Sequence, residues 1–348
     1  MPHWYRFFKY LVALIRRENF HKIALIVIVV IVLGAEGFSY FEPNTSFTDA
    51  LWWSVVTATT VGYGDISPAT PGGRIIGAVV MLLGIGVVGL MTATIAGFVI
   101  EQRVLARKGK KGVAVKGHYI ICGWNFEGHS LLAELRADAK AKDAPIVVIA
   151  LCEESPESND PAFHFIHGEV DRETLEKACA ADAVTAIILG DVNLEPYSRD
   201  AKCILTTLSI KKLYPQLYVC VELMDAKNVG HCQTAGADEV VILGELGTNL
   251  LAQAALDHGI TRMITDLVSN RTGDEIFKVP PPPGCAGKTF IEVLMELKQQ
   301  HNVICVGLET AKDGALLTNP DASLTIGDED YLIVIASDRP DWTRPAGR

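Results

Sequence analysis

Two long apolar runs dominate the first third of the chain. Ile23 to about Tyr40 carries no charge except Glu36, and Ile75 to Ile100 carries none. At ~1.5 Å per residue the second run reaches roughly 39 Å as a helix, enough to cross a ~30 Å hydrocarbon core with tilt. Between them, residues 48–59 predict a short helix with Thr48 as N-cap and Asp49 at the positive end of the dipole. Trp52 and Trp53 on that helix suit an interfacial or packed cuff, and its C-terminal end favours a cation. The first run starts after 22 residues and exceeds an ordinary signal-peptide core, with no small-x-small cleavage site after it, so we read it as a span. The pattern is therefore helix, re-entrant loop, helix. Non-helical backbone at that depth is tolerated only inside protein or beside water.

Beyond residue 117 the pattern changes to short buried runs alternating with helical periodicity. Strands are expected at 118–122, 146–151, 163–167, 186–189, 218–223 and 239–243, with helices at 128–141, 172–181 and 197–213. Six strands with helical crossovers predict a parallel, doubly wound sheet. Helical stretches near 246–257 and 260–269 follow, and then Val279-Pro280-Pro281-Pro282-Pro283-Gly284 breaks the pattern as a stiff connector. Residues 284–337 predict a small α+β unit with a helix at 289–301 and strands at 303–308 and 331–335. The expected organisation is an N-terminal interfacial segment (1–22), a unit of two spans around a re-entrant loop (23–100) and a linker (101–117). A Rossmann-like subdomain (118–245), a helical interface segment (246–273) and a C-terminal subdomain (274–348) follow.

Charge divides the chain at the same place. Residues 1–117 hold 12 basic and 6 acidic side chains, whereas residues 118–348 hold 19 and 35. The acidic second part argues against nucleic acid as a partner. Lysine and arginine flank the two apolar runs on their outer sides, from Arg6 to Lys22 and from Arg103 to Lys116. The loop between the runs has Arg74 alone against Glu42, Asp49 and Asp65. Both termini are therefore expected in the cytosol. The basic and aromatic stretch Trp4–Arg17 suits the inner membrane surface. All eight cysteines lie beyond residue 117 with no CxxC pair, which excludes the usual zinc frameworks and fits reduced thiols.

The loop after the short helix is Thr60-Val61-Gly62-Tyr63-Gly64-Asp65. This run resembles the potassium-channel selectivity filter, a known signature sequence. The residue types fit that chemistry. A K⁺ ion leaving water needs a cage of oxygen dipoles, and a backbone that turns successive carbonyls inward needs dihedrals that Gly62 and Gly64 accept without a Cβ clash. Thr60 can add a hydroxyl, and Tyr63 can brace the strip from behind. The resemblance makes Thr60, Val61, Gly62, Tyr63 and Gly64 the expected K⁺-binding residues. Downstream, Gly84, Gly86 and Gly89 cluster in the second apolar run. Such glycines mark either a hinge or a close helix approach. Resemblance to channels whose inner helices bend at this height makes Gly84 the expected gating hinge.

The turn after the first predicted strand, Gly123-Trp124-Asn125-Phe126-Glu127-Gly128, is a dinucleotide fingerprint with asparagine in place of its middle glycine. That substitution weakens the nucleotide reading, although asparagine tolerates left-handed dihedrals and the helix N-terminus still attracts anions. Candidate nucleotide contacts are Gly123, Asn125, Gly128, Glu153 or its neighbour Glu154 near the end of the second strand, and Glu169 after Gly168. His164 and His167 alternate with apolar residues along a strand and are expected to be structural.

The segments His118–Asn125, Phe165–Glu169, Ala235–Val240 and Gly287–Phe290 with Gly327-Asp328 resemble the regulator-of-K⁺-conductance (RCK) domain. With the filter, the chain resembles the calcium-gated two-helix RCK channels of prokaryotes. The resemblance implies a homotetrameric pore in membrane lipid and a cytosolic ring whose ligand, Ca²⁺ or another divalent cation, or alternatively an adenine nucleotide or NAD, pulls the inner helices through the 101–117 linkers. It also implies carboxylate ligands at the ends of the later strands, here Asp191, Glu195 and Glu222, with Met224 where a further acid is expected. Ca²⁺ takes six to eight oxygens, so that substitution matters. No methionine lies between Met91 and Met224 to start a separate soluble ring copy. A membrane-tethered NAD enzyme is the competing class, but no acid–base or nucleophile constellation accompanies the fingerprint.

Overall fold

The first apolar run folds as helix α1 (Phe20–Phe41), and the run after the loop as α3 (Pro71–Arg107); the short helix between them is α2 (Phe47–Ala58). These come from a computed structural model that describes residues 20–271 and 273–342. The N-terminal stretch expected at the membrane surface lies outside the described residues. Contacts divide the chain into two units, Met1–Ala106 and Arg107–Arg348.

In the first unit α1 and α3 are both long and apolar enough to cross a membrane. The N-cap of α2 is Ser46 rather than Thr48: its Oγ accepts the Asp49 N–H at 3.2 Å, while the Thr48 hydroxyl lies 2.8 Å from it. A serine cap is worth ~1 kcal/mol over alanine. Phe38 stacks on Trp53 with ring centroids 3.7 Å apart, above the buried Ala35 and Ala50. Such an aromatic pair adds ~0.5–1.5 kcal/mol beyond the area it buries. The Glu42 carboxylate, buried at the end of α1, accepts the Ala69 N–H (2.9 Å), the Thr70 N–H (2.7 Å) and the Thr70 hydroxyl (2.9 Å). It thereby ties α1 to the start of α3, where Pro71 occupies the first helical position that tolerates it.

Helix α3 runs seven residues further than the apolar pattern predicts. Gln102 to Arg107 supplies good helix formers, and Arg107 at the C-terminal end suits the dipole. The first part of the expected linker is therefore helical.

The second unit begins with β1 (His118–Cys122), α4 (Gly128–Ala137), β2 (Ile146–Ala150), β3 (Phe163–His167) and α5 (Arg172–Lys177). It continues through β4 (Ala183–Ile188), α6 (Pro196–Leu213), β5 (Tyr218–Leu223), α7 (Val229–Thr234) and β6 (Glu239–Ile242). These six strands form one sheet in the order β3-β2-β1-β4-β5-β6, and every pairing is parallel. The near-continuous apolar strands have both faces covered, as a parallel sheet requires. Ile120, Ile188, Val219 and Leu223 are buried in one apolar cluster, and Ile121, Ile146 and Val148 in another. The order reverses between β1 and β4, which opens a crevice at the carboxyl ends of those strands.

Helices α8 (Leu243–Leu256) and α9 (Ile260–Val268) lead to β7 (Glu275–Val279). Then come α10 (Phe290–His301), β8 (Ile304–Glu309), β9 (Leu316–Thr318) and β10 (Tyr331–Ala336). The last four strands make an antiparallel sheet in the order β7-β10-β8-β9, packed on Phe290, Val293 and Leu297 of α10. Strands β7 and β9 are absent from the sequence expectation. β7 adjoins the proline run and carries Glu275 and Lys278 among its five residues, and β9 has three exposed residues.

Candidate functional sites

The filter-like loop is held from behind by α2. Val56 O, near the helix end, accepts N–H groups from both Val61 (3.0 Å) and Gly62 (3.3 Å). Thr60, Gly62 and Gly64 have φ of 63°, 59° and 76°, while Val61 and Tyr63 between them stay out of the left-handed region. A strip that alternates in this way turns successive carbonyls to one side. Glycine supplies that conformation at 62 and 64 without cost; Thr60 adopts it too, which residue type alone did not foretell. Trp52 Nε1 donates to Asp65 Oδ2 at 2.9 Å, and the Trp52 and Tyr63 rings stack with centroids 6.0 Å apart. Among the described residues, chain neighbours aside, no atom lies within 4 Å of where a Cβ would stand on Gly62 or Gly64.

Gly84 sits elsewhere in kind. A Cβ there would lie 2.6 Å from Ala58 Cα and 2.7 Å from Ala58 O, whereas Gly86 and Gly89 have open space. Helix α3 passes through all three without a break. Gly84 thus permits the close approach of α3 to the end of α2.

In the second unit a cleft of about 240 Å³ opens at the carboxyl ends of β1 to β4, lined in part by Gly123, Trp124, Cys152, Glu169, Asp191 and Lys202. Gly123 is left-handed (φ 89°), as the fingerprint turn demands. The rest of that turn is filled from within. Asn125 Oδ1 accepts the Glu127 N–H (2.9 Å), and its Nδ2 donates to Gly190 O (3.1 Å). The side chain therefore occupies the Glu127 N–H, a donor that a pyrophosphate would use. Gly128 lies under the Trp124 indole, which a Cβ would meet at 2.6 Å. Glu169 lines the cleft; Glu153 does not.

The three carboxylates expected at the strand ends are not gathered as a ligand set. Glu222, buried on β5, forms an ion pair with Arg199 of α6 and accepts the Gly190 N–H at 3.0 Å. Arg199 lies over Gly190, filling the space a side chain there would need. Asp191 pairs with Lys202 at 3.3 Å and accepts from Asn193, and Lys202 also reaches Glu169 at 3.3 Å. Glu195 is the N-cap residue of α6, without a side-chain cap bond. The Met224 N–H is held by buried Asp200 at 2.9 Å. Among the described residues no group of three or more His, Cys, Asp or Glu side chains is arranged to hold a metal ion. Basic side chains already neutralise Glu222 and Asp191. Sequence reading passed over Arg199 and Lys202, although their i, i+3 spacing just after Pro196 places them on one face of the first turns of α6.

Electrostatics follow from these contacts. Burial raises the Glu127 carboxyl, the Glu222 charge raises it further, and Arg199 offsets part of that. Burial raises Asp191, but the Asn193 N–H and Lys202 outweigh it and leave it lowered. Burial works against the Lys202 ammonium, yet Asp191 and Glu169 leave its pKa raised. Burial pushes the Cys122 and Cys203 thiols to about 12, so neither is a thiolate nucleophile at neutral pH. His167 Nδ1 lies 2.7 Å from Cys152 O and His164 is part-buried, as expected of structural residues.

A re-entrant strip of alternating handedness between two apolar helices, joined to a parallel α/β unit with a switch-point cleft, defines an ion-channel pore carrying a ligand-binding regulatory domain. Residues 25–101 match the family described as "Ion channel", residues 119–243 the TrkA-N domain, and residues 244–346 "Castor and Pollux, part of voltage-gated ion channel". The calcium-gated potassium channel TvoK of Thermoplasma volcanium is 30% identical over 329 residues, covering 91% of this chain and 92% of TvoK. Potassium channel protein 1 of Methanocaldococcus jannaschii is 30% identical over 277 residues, covering 74% of this chain and 78% of that one. The human SLO3 gating ring shares the fold at a TM-score of 0.51 and 18% identity, over 63% of this chain and 44% of that one. The chain belongs to the potassium channels that join a two-helix pore to an RCK domain.

Proposed function

We propose that this protein is a K⁺-selective channel of the plasma membrane, opened by Ca²⁺ acting on its RCK unit. The alternation of left-handed residues at Thr60, Gly62 and Gly64 carries the selectivity part of the reading. Carbonyls of Thr60, Val61, Gly62, Tyr63 and Gly64 coordinate K⁺ when four copies surround one axis. The open space around Gly62 and Gly64 and the exposed Val61 support a strip completed by other copies. Both termini and the RCK unit face the cytosol, where flanking Lys and Arg place them. The Ca²⁺ part rests on similarity to TvoK along nearly its whole length. Asp191, Glu195 and Glu222 are the carboxylates to test first, and Ca²⁺ held there has to displace Lys202 and Arg199. K⁺ flux from liposomes holding the purified channel tests the reading. Ca²⁺ is expected to raise the flux and Glu222→Gln to blunt that rise; equal K⁺ and Na⁺ flux, or a flux indifferent to Ca²⁺, overturns the corresponding part.

An adenine nucleotide is the second reading, supported by the cleft beside Gly123, Trp124 and Glu169. Asn125 stands against it. NAD or ADP in place of Ca²⁺ in the same flux assay separates the two.

A further inference from the structure

The segment from the end of α3 to β1 does not hang free. Arg107 O accepts the Ser155 N–H at 2.8 Å, and the Arg107 guanidinium lies 2.9 Å from Glu154. Gly109 O accepts the His167 N–H at 3.0 Å. Further along, Val113 N donates to Lys177 O (2.8 Å) and Cys179 Sγ to Val113 O (3.1 Å). Gly117 N donates to Asp182 O (2.8 Å), and Lys116 reaches the Asp182 carboxylate at 3.1 Å. The Gly109 bond falls at the end of β3, the outermost strand, whose terminal N–H would otherwise lack a backbone partner, and the later bonds fall on the end of α5 and the turn before β4.

The first two anchors adjoin residues of the cleft wall in sequence. Leu151 and Cys152, at the tip of β2, line it and lead directly to Glu154 and Ser155. Gly168 and Glu169 line it and follow His167. His167 Nδ1, 2.7 Å from Cys152 O, ties the two tips together. The Arg107–Glu154 pair is largely exposed, so its contribution is small, and the backbone bonds carry the anchor. Gly109 is the residue that permits them. It is left-handed (φ 64°), and a Cβ would collide with the His167 nitrogen.

We propose that Arg107 and Gly109 are the positioning residues through which the cleft moves the inner helix. Displacement of the β2 and β3 tips reaches α3 through its last residue, Arg107, and through Gly109 just beyond it, so residues 110–117, bonded elsewhere, lie downstream of that load. A free tether anchored only at β1 would instead transmit along its whole length. This rests on the ligand-gated reading above, and the two fail separately.

Two measurements on the full-length channel decide it. In hydrogen exchange, the His167 and Ser155 amides are expected to be protected, with Gly109→Ala abolishing protection at His167. Free-loop exchange of both amides in the unaltered protein overturns the anchor, whatever the ligand. In the liposome flux assay with Ca²⁺ as the probe, a three-glycine insertion between Ala106 and Arg107 abolishes the Ca²⁺ response. The same insertion between Lys110 and Lys111 preserves it. Equal loss at both positions overturns the proposal. If Ca²⁺ leaves the unaltered channel's flux unchanged, the Ca²⁺ reading falls and the exchange result alone decides the anchor.

Discussion

Two glycine-bearing loops, 60–65 and 123–128, show opposite uses of the same residue. In the first, Gly62 and Gly64 are left-handed with nothing near their missing Cβ positions. In the second, Gly128 is jammed under Trp124, and Asn125 spends its amide on Glu127 N and Gly190 O. The first loop is an unfilled strip with its backbone presented outward. The second is a turn whose ligand-facing groups are satisfied by its own side chains. A glycine pattern alone therefore does not announce a binding loop; what occupies the space beside it does.

The sharpest way to break this comparison is Gly62→Ala. The Cβ has room but the backbone conformation penalises it, so K⁺ selectivity in liposome flux is expected to be lost while the protein still folds. Retained selectivity would mean that handedness at 62 is dispensable. Next comes the contrast between space and conformation within α3. Gly84→Ala drives a methyl into the backbone of Ala58, and thermal unfolding is expected to show a large loss, whereas Gly86→Ala, with open space, is expected to cost little. Matched unfolding curves would show that α3 bends away from Ala58 freely, as a hinge at Gly84 requires.

In the second unit, Glu222→Ala leaves the Arg199 guanidinium buried without its partner, at a cost of ~3–5 kcal/mol. Pairing it with Arg199→Met should recover most of that in denaturant unfolding; no recovery would mean Glu222 matters for Gly190 instead. The smallest effect concerns pH. His118 at the start of β1 is fully buried, and burial holds its pKa below the usual range. The Ala178 carbonyl and Asp182 pull it up, and His164 pulls it down further. The folded protein thus binds fewer protons than the unfolded chain there. Its contribution is full above the unfolded value of ~6.5 and is lost as pH falls through the lower folded value. His118→Phe should flatten the decline in melting temperature over that acidic range; an unchanged slope would assign it to other groups.

Much of this was legible in sequence because the signals are local. The apolar spans, the filter strip, and strands such as Phe163–His167 and Tyr218–Leu223 were placed by short-range pattern. The partners of the carboxylates Glu222 and Asp191, by contrast, were not legible. Arg199 meets Glu222 across 23 positions, and Lys202 meets Glu169 across 33. Strands β7 and β9 were missed because their pairing with β10 and β8, rather than their own residues, makes them strands.

By itself the sequence determined the two apolar helices, the alternating fold of the second unit and the position of the glycine-bearing strip at 60–65, since each depends on neighbours a few residues apart. Only the tertiary structure decided that Asn125 fills its own turn, that basic side chains already hold the strand-end carboxylates, and that Gly109 is pinned to β3. Those depend on groups far apart in the chain being brought within hydrogen-bond distance, and no local pattern encodes that distance.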